Sequence, residues 1–454
     1  MNYSIYGIYI VAGLIGLLMP ISLQRMATIF IASIVLDCLR YQDIAVTNIC
    51  LTAFVSKAAL VDSRKKYIVL KKQLLPLMLL MAVVVVAALI SNEVDRLRNL
   101  ISIVLLIVTP IAIMTAINKL YDLESMINGL FWMSGLAASS VLLEVVLCFI
   151  GVDFRDGANQ MGIINLGINM IHASGIFTSN AIAALHILPG LVLSAFLVRN
   201  EEDPKRRRKI LLYSFFCTIA LLFTLSRAGI ISIMFLFGVL VGRGALRGRL
   251  LKIALLAVLV LGISPFLEWI YGFNPQSFFA RGGILLGALQ SIRQKPFLGN
   301  GLGAGVVSSG EWGFWGGELL DVPLDESMRD THNTLLQILV EMGIVGLISF
   351  AVVVWVAMAG LCKVNSLAPR SYLAAYATSL FWTLVVLGFF LFFNSFLYSK
   401  PFWVVLGLAW GVIRIAKKSR PRATTGSRLR NSGQPECVAV SRGSRTKLTL
   451  HGTN

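Results

Sequence analysis

Acidic residues are scarce in this sequence, and charge of any kind is thin. Of its 454 residues only 14% are Asp, Glu, Lys or Arg, whereas soluble domains carry about a quarter. That shortage excludes a water-soluble chain, and no polar stretch is long enough to form a separate soluble domain. The cysteines are Cys38, Cys50, Cys148, Cys217, Cys362 and Cys437. All but the last lie in or beside apolar runs, so they offer neither a disulfide framework nor a zinc spacing. Histidine is also rare: His172, His186, His332 and His451 are all there are.

What is present in abundance is hydrophobic sequence. It makes up 57% of the chain, and the mean hydropathy is +0.80. A helix crosses about 30 Å of hydrocarbon with roughly 20 apolar residues, and runs of that kind recur throughout. The net charge of +18 sits in short clusters between those runs. This is the positive-inside pattern of a polytopic membrane protein, and it excludes a nucleic-acid binder. No charged region precedes the first apolar run and no small-residue cleavage site follows it, so that run reads as a retained helix.

The basic clusters set an orientation. From Arg414 onward Lys and Arg recur against the single acid Glu436, which makes 417–454 a basic, disordered, cytoplasmic tail. Working backwards, helices are expected at 400–416, 371–395, 343–362, 251–270, 228–243, 210–226, 181–199, 126–150, 99–117 and 72–91. Lys363 with Arg370, Arg243 to Arg249, Lys205 to Lys209, and Arg64 to Lys72 then all fall inside. The apolar runs 4–23, 26–39 and 44–61 make two crossings or three. The short 26–39 run between Arg25 and Arg40 favours two, with part of it bent or interfacial. The expected fold is therefore all-α and polytopic, with about twelve transmembrane helices. About nine span 1–270, an outer loop with short helices covers 271–333, and three more helices occupy 334–416.

The loop 271–333 departs from lipid-like composition. It is rich in Gly, holds Trp312 and Trp315, and carries Glu311, Glu318, Asp321, Asp325, Glu326 and Asp330. Such loops on a rigid scaffold often carry function. The acids lack ordered ligand spacing, so no metal site is assigned. Arg281 opens a helical pattern through Ile284, Ala288 and Ile292 that ends at Lys295-Pro296. Gly299 to Gly305 lacks the GK[ST] of a phosphate loop and follows no strand. It reads as a flexible turn around a substrate groove.

Arg227 stands where one apolar run ends and the next begins, at the outer surface. Alone it reads as a snorkelling arginine or as half of an anion site. His332, before a re-entering apolar helix, reads alone as a helix-end polar residue or as a base active near neutral pH. The convergence of two arginines and one histidine on one side of the membrane favours chemistry. Paired guanidiniums suit a diphosphate, and a nearby imidazole can take a proton from a sugar hydroxyl. The set fits glycosyl transfer from a lipid diphosphate, with arginines holding the leaving group's charge.

At these residues the chain resembles the O-antigen ligase and polymerase family of bacterial envelope glycan enzymes. The motifs are Thr224-Leu-Ser-Arg-Ala-Gly229, then Arg281 with Gln294-Lys-Pro-Phe-Leu-Gly-Asn-Gly-Leu-Gly303, and Thr331-His-Asn-Thr-Leu-Leu-Gln-Ile-Leu-Val-Glu-Met-Gly-Ile-Val-Gly346. Ser174-Gly-Ile-Phe-Thr-Ser-Asn180 is a weaker match. The resemblance covers about 170–350. It implies a GT-C-like fold and metal-independent transfer of an undecaprenyl-diphosphate-linked glycan in the periplasm, without a cofactor. The acceptor would be lipid A–core or a growing glycan, and the chain would sit in the bacterial inner membrane. It assigns Arg227, Arg281 and His332 to catalysis. Arg227, Arg281, Arg293 and Asn333 become the substrate-binding set. Glu341 is a structural partner within the helix motif.

Two other readings compete. A flippase for lipid-linked sugars needs polar groups along a path at membrane depth, and only Glu144 and Asn394 stand mid-helix. A structural scaffold leaves the outer Arg/Arg/His set unexplained.

Overall fold

The computed structural model describes residues 3–38, 40–41, 44–62, 71–91, 96–150, 160–163, 168–171, 173–177, 179–242, 275–304, 306–307, 329–330, 333–367 and 371–419. Met1–Lys417 forms one compact unit, and 418–454 is a separate one. Among the described residues the fold is helical. The helices are α1 (Tyr3–Leu18), α2 (Leu23–Ser33), α3 (Val46–Asp62), α4 (Lys71–Ile90), α5 (Arg96–Ala116), α6 (Leu120–Phe149), α7 (Asn180–Leu197), α8 (Pro204–Phe223), α9 (Arg227–Gly242), α10 (Pro275–Gln294), α11 (Thr334–Leu367), α12 (Tyr372–Phe392) and α13 (Lys400–Lys418). Three antiparallel two-stranded ladders pair Arg40–Tyr41 with Ile44–Ala45, Gln160–Ile163 with Ile168–Ile171, and Val306–Val307 with Arg329–Asp330.

Five helices are long and apolar enough to cross a membrane among the described residues: Asn99–Ala116, Leu120–Phe149, Asn180–Leu197, Thr334–Leu367 and Tyr372–Phe392. Shorter apolar helices cover Leu23–Leu36, Leu74–Ile90 and Arg227–Leu240. Large apolar side chains such as Leu75, Met78, Leu89, Trp132, Phe215 and Trp355 face outward, as they would toward lipid. This is a multi-pass membrane protein.

Local chemistry sets the helix starts. Asp203 accepts from Lys205 N at 3.0 Å ahead of Pro204, whose missing N–H costs nothing in the first turn. Asp122 Oδ2 accepts from Asn118 N and Lys119 N at 2.9 and 3.0 Å, and Ser179 and Ser371 cap α7 and α12. Pro76, Pro110 and Pro189 sit inside α4, α5 and α7, where packed neighbours tolerate the break.

Nine of the ten helices expected C-terminal to residue 71 are present. The tenth, at 251–270, lies outside the described residues, as do Trp312, Trp315 and the acids of the outer loop other than Asp330. The 26–39 run is a bundle helix closed by a 3₁₀ turn over Ile34–Cys38. Phe30, Ile31 and Ile34 are buried, and Thr28 bonds Ser125 of α6 hydroxyl to hydroxyl at 3.1 Å, so this run packs against the bundle.

The centre of the bundle is α13, buried from Lys400 through Ile413. A helix apolar all round belongs in an interior. Lipid is as apolar as the helices, so packing depends on close approach at small residues. Gly407 and Gly411, four apart, do this against α5. A Cβ on Gly407 would lie 3.0 Å from Pro110 Cα, and one on Gly411 would collide with Ile117.

Candidate functional site

The described parts of the sequence motifs form two groups, one at the α8–α9 junction and one at the start of α11. At the α8–α9 junction Thr224 Oγ1 donates to Leu221 O at 2.6 Å and accepts from Ser226 N at 3.2 Å. Leu225 adopts a left-handed φ of 47°, and Ser226 caps α9 by accepting from Gly229 N at 3.3 Å. The Thr-Leu-Ser turn is thus built by its own hydroxyls. It presents Arg227, exposed, as the first residue of α9. A cation in the first turn of a helix meets the positive end of the helix dipole, so this position favours arginine only if an anion shares it.

Beside the junction lies the 173–177 segment. Ala173 N donates to Phe223 O at 3.1 Å, and Glu144 Oε2 of α6 accepts from Ser174 N and Gly175 N at 2.7 and 2.5 Å. Phe177 stacks on His186 of α7 at 4.6 Å, and His186 Nδ1 lies 2.8 Å from Ile182 O. The imidazole is buried packing rather than an open base. Glu144, noted in the sequence only as a mid-helix acid, holds the start of the weaker Ser174–Asn180 motif, and Ala173 joins that segment to the end of α8 beside the Arg227 junction. Each signal was visible alone, but no spacing rule joins positions thirty residues apart.

The glycine turn after α10 is not flexible. Asn300 N and Gly301 N donate to Val340 O and Glu341 O of α11, at 2.8 and 3.1 Å. Ile344 N and Val345 N donate back to Pro296 O and Phe297 O, at 2.9 and 3.3 Å. Leu302 is held from α4 by Ser91 Oγ donating to its carbonyl at 2.8 Å and by its own N–H bonding Ala87 O at 3.3 Å. This exchange is possible because α11 kinks at Gly343, with φ 64°, which frees main-chain groups that a straight helix would use. Asn300 Nδ2 also donates to Ser291 Oγ at 2.7 Å, anchoring the end of α10.

Asn333 caps α11. Its Oδ1 accepts from Leu335 N and Leu336 N at 2.9 and 3.0 Å, and its N–H donates to Ser395 Oγ at 3.0 Å. Thr334 Oγ1 donates to Asn394 O at 2.5 Å and accepts from Phe396 N at 2.9 Å. Asn394 lies in the turn after α12, not mid-helix. Asn333→Ala is expected to lower stability by about 1 kcal/mol, with Asn333→Asp restoring it, as thermal unfolding of the solubilised protein would reveal. Glu341 is buried as a partner, accepting from Gln337 Nε2 and from Tyr398 Oη, both at 2.9 Å. Burial first and the Glu341 carboxylate second push the Tyr398 phenol well above its ordinary range, keeping it a donor.

Arg281 lies in α10, two turns before buried Ala288 and about 15 Å along the helix from Ser291. Arg293 is exposed in the last turn of α10, where a cation complements the helix dipole. His332 lies outside the described residues. Its chain neighbour Asn333 is fixed as above. The ladder pairing Val306–Val307 with Arg329–Asp330 brings the chain back to that point from the glycine turn. The structure thus joins Arg227 with the 173–177 segment, and Asn333 with the glycine turn through α11.

No curated protein matches the chain. Residues 212–351, running from α8 into α11, match a family model described as O-antigen ligase. That stretch contains Arg227, Arg281, Arg293, His332 and Asn333. Over that stretch, which is under half of the chain, the protein is similar to the O-antigen ligase family.

Proposed function

We propose that the protein transfers a glycan from undecaprenyl diphosphate to an acceptor sugar at the periplasmic face of the bacterial inner membrane. The observation that carries this is the family match over 212–351, which encloses both arginines and the histidine singled out by their chemistry. In this reading the acceptor hydroxyl attacks the anomeric carbon of the donor as its proton passes to the His332 imidazole. The bond to the diphosphate breaks, and Arg227 and Arg281 hold the charge that develops on the leaving group. Guanidiniums stay charged at any working pH and grip phosphate oxygens in pairs, so the step needs no metal. Arg293 and Asn333 would bind the glycan. About twelve crossings in a GT-C-like arrangement carry the site, with 271–333 as the periplasmic catalytic loop.

A flippase would leave Glu144 and Asn394 to line a path. Glu144 instead binds two main-chain amides, and Asn394 engages the start of α11 and its own helix end, which favours transfer. The test is transfer of lipid-linked glycan by the protein reconstituted in vesicles. Arg227→Ala, Arg281→Ala and His332→Ala are each expected to reduce the rate on the order of 100-fold at unchanged abundance. Full activity in any of them removes that residue from the mechanism. Sizing the product separates ligation to lipid A–core from extension of a growing glycan.

A further inference from the structure

At the end of α8 away from the Arg227 junction lies a cavity of about 290 Å³ that the proposed transfer does not use. It opens where α7 ends, α8 begins and α12 begins, against the first turns of α6. Its apolar wall includes Ile127, Leu197 and Ile210, buried Tyr376 lines it, and Tyr372 is exposed at its edge. Arg206 and Lys209, one helical turn apart on α8, bring two cations to the same wall. The acids facing them are Glu201 and Glu124. Glu201 pairs with Arg206 through Nε at 3.2 Å, and its carboxylate is only 8% exposed. Glu124 accepts from Tyr376 Oη at 3.4 Å. Among the described residues Lys209 has no carboxylate within ion-pair distance, and Lys205, Arg207 and Arg208 stand exposed beside it on α8.

We infer that this cavity binds the phosphodiester headgroup of an anionic phospholipid in the cytoplasmic leaflet. The chemistry is divided in the way such a lipid requires. A paired guanidinium and an ammonium face the phosphate, Tyr372 sits at the headgroup boundary, and an apolar wall leads on to the acyl chains. Basic pockets between membrane helices on the cytoplasmic side suit such headgroups, and tyrosine favours the interface. The cavity lies where the apolar spans of α7 and α12 terminate, at Leu197 and Tyr372, which is membrane-edge depth. A soluble phosphate would use the cations but leave the apolar wall without a partner. The name of the leaflet rests on the orientation proposed above. The binding does not depend on transfer, so each can fail without the other.

The full-length protein in mixed micelles tests this. Phosphatidylglycerol is expected to raise the unfolding midpoint by a few degrees over phosphatidylcholine. The Arg206→Gln/Lys209→Gln double variant is expected to bind phosphatidylglycerol about tenfold more weakly. An Arg207→Gln/Arg208→Gln variant, with the same loss of charge, should keep the shift. Should the first double variant fail to fold, the fluorescence that Tyr372→Trp adds over the parent gives the reading, because brominated phosphatidylglycerol should quench that increment more strongly than brominated phosphatidylcholine. Equal quenching, or a shift that survives in the Arg206/Lys209 variant, overturns the inference. So does a shift reproduced by inorganic phosphate or glycerol phosphate alone, which would make this a free-phosphate site.

Discussion

Glu144→Ala is expected to lower stability by about 3–4 kcal/mol and to abolish transfer even where the chain still inserts. Glu144 Oε2 is the acceptor for two adjacent amides, Ser174 N and Gly175 N, in a spot where the carboxylate is 7% exposed. Removing it leaves both donors without that acceptor, and each buried, unsatisfied donor costs about 1–3 kcal/mol. Water cannot easily replace the carboxylate there, since Gly175 lies so close to α6 that even a Cβ on it would collide with Ser140. The 173–177 segment would then detach from the C-terminal end of α8, and the turn presenting Arg227 would lose its neighbour. Glu144→Gln keeps an acceptor oxygen and should recover most of the stability, at about 1 kcal/mol below the parent. Thermal unfolding in detergent, alongside transfer in vesicles, reads both effects. An unchanged midpoint for the Ala variant would mean that the clamp is not what holds the segment.

Gly343→Ala should be the most damaging single methyl in α11. The residue has φ 64° and ψ −166°, an essentially glycine-only conformation that costs an L-residue about 1–3 kcal/mol. Its added Cβ would also run into the Phe297 carbonyl, which is backbone and cannot swing away. Overpacking of that kind adds about 1–3 kcal/mol. Relief requires the glycine turn to move off α11, which breaks the bonds from Ile344 and Val345 to Pro296 and Phe297. The expected total is about 3 kcal/mol or more, with transfer lost as well. Gly388→Ala is the control. Nothing lies within 4 Å of its would-be Cβ, so α12 should gain up to about 1 kcal/mol in helix propensity. If both variants unfold together with the parent, the kink is not the joint described above.

Hydropathy and charge made the helices legible because both are local signals. The basic cluster at 205–209 marked the α7–α8 turn, but it lies inside the first turns of α8, which starts at Pro204 instead of 210, and Lys363 lies inside α11. The starts of α6 and α11 were read too late. Polar first turns, Leu120 to Ser125 and Thr334 to Gln337, dilute the apolar average, while capping by Asp122 and Asn333 still makes them helical. Glu341, read through the family motif as a structural partner, is one, bonded by Gln337 and Tyr398. What the residues could not reveal was partnership. The bonds from Glu144 to 174–175, from Tyr398 to Glu341, and between the glycine turn and α11 all join distant positions. All four bonds between the glycine turn and α11 run through main-chain groups, which leave no mark in side-chain identity. The glycines at 299, 301 and 343 are their trace; those of the turn read as flexibility in the sequence, whereas the positive φ values serve close approach.

The buried α13 has a consequence for how the protein meets bilayers of different thickness. The outward-facing helices carry the lipid-exposed Leu75, Met78, Trp132 and Phe215, so a thinner or thicker hydrocarbon layer acts on them through tilt, at fractions of a kcal/mol per Å. A helix wrapped by protein from Lys400 to Ile413 feels no such mismatch directly. It behaves as an axle about which the rim can tilt. The turn leading into it, 394–398, receives Asn333, Thr334 and Glu341. The segment joined to His332 is therefore referenced to the axle rather than to the rim, and its height above the membrane should vary less with lipid composition than that of Arg227, which rides on α9.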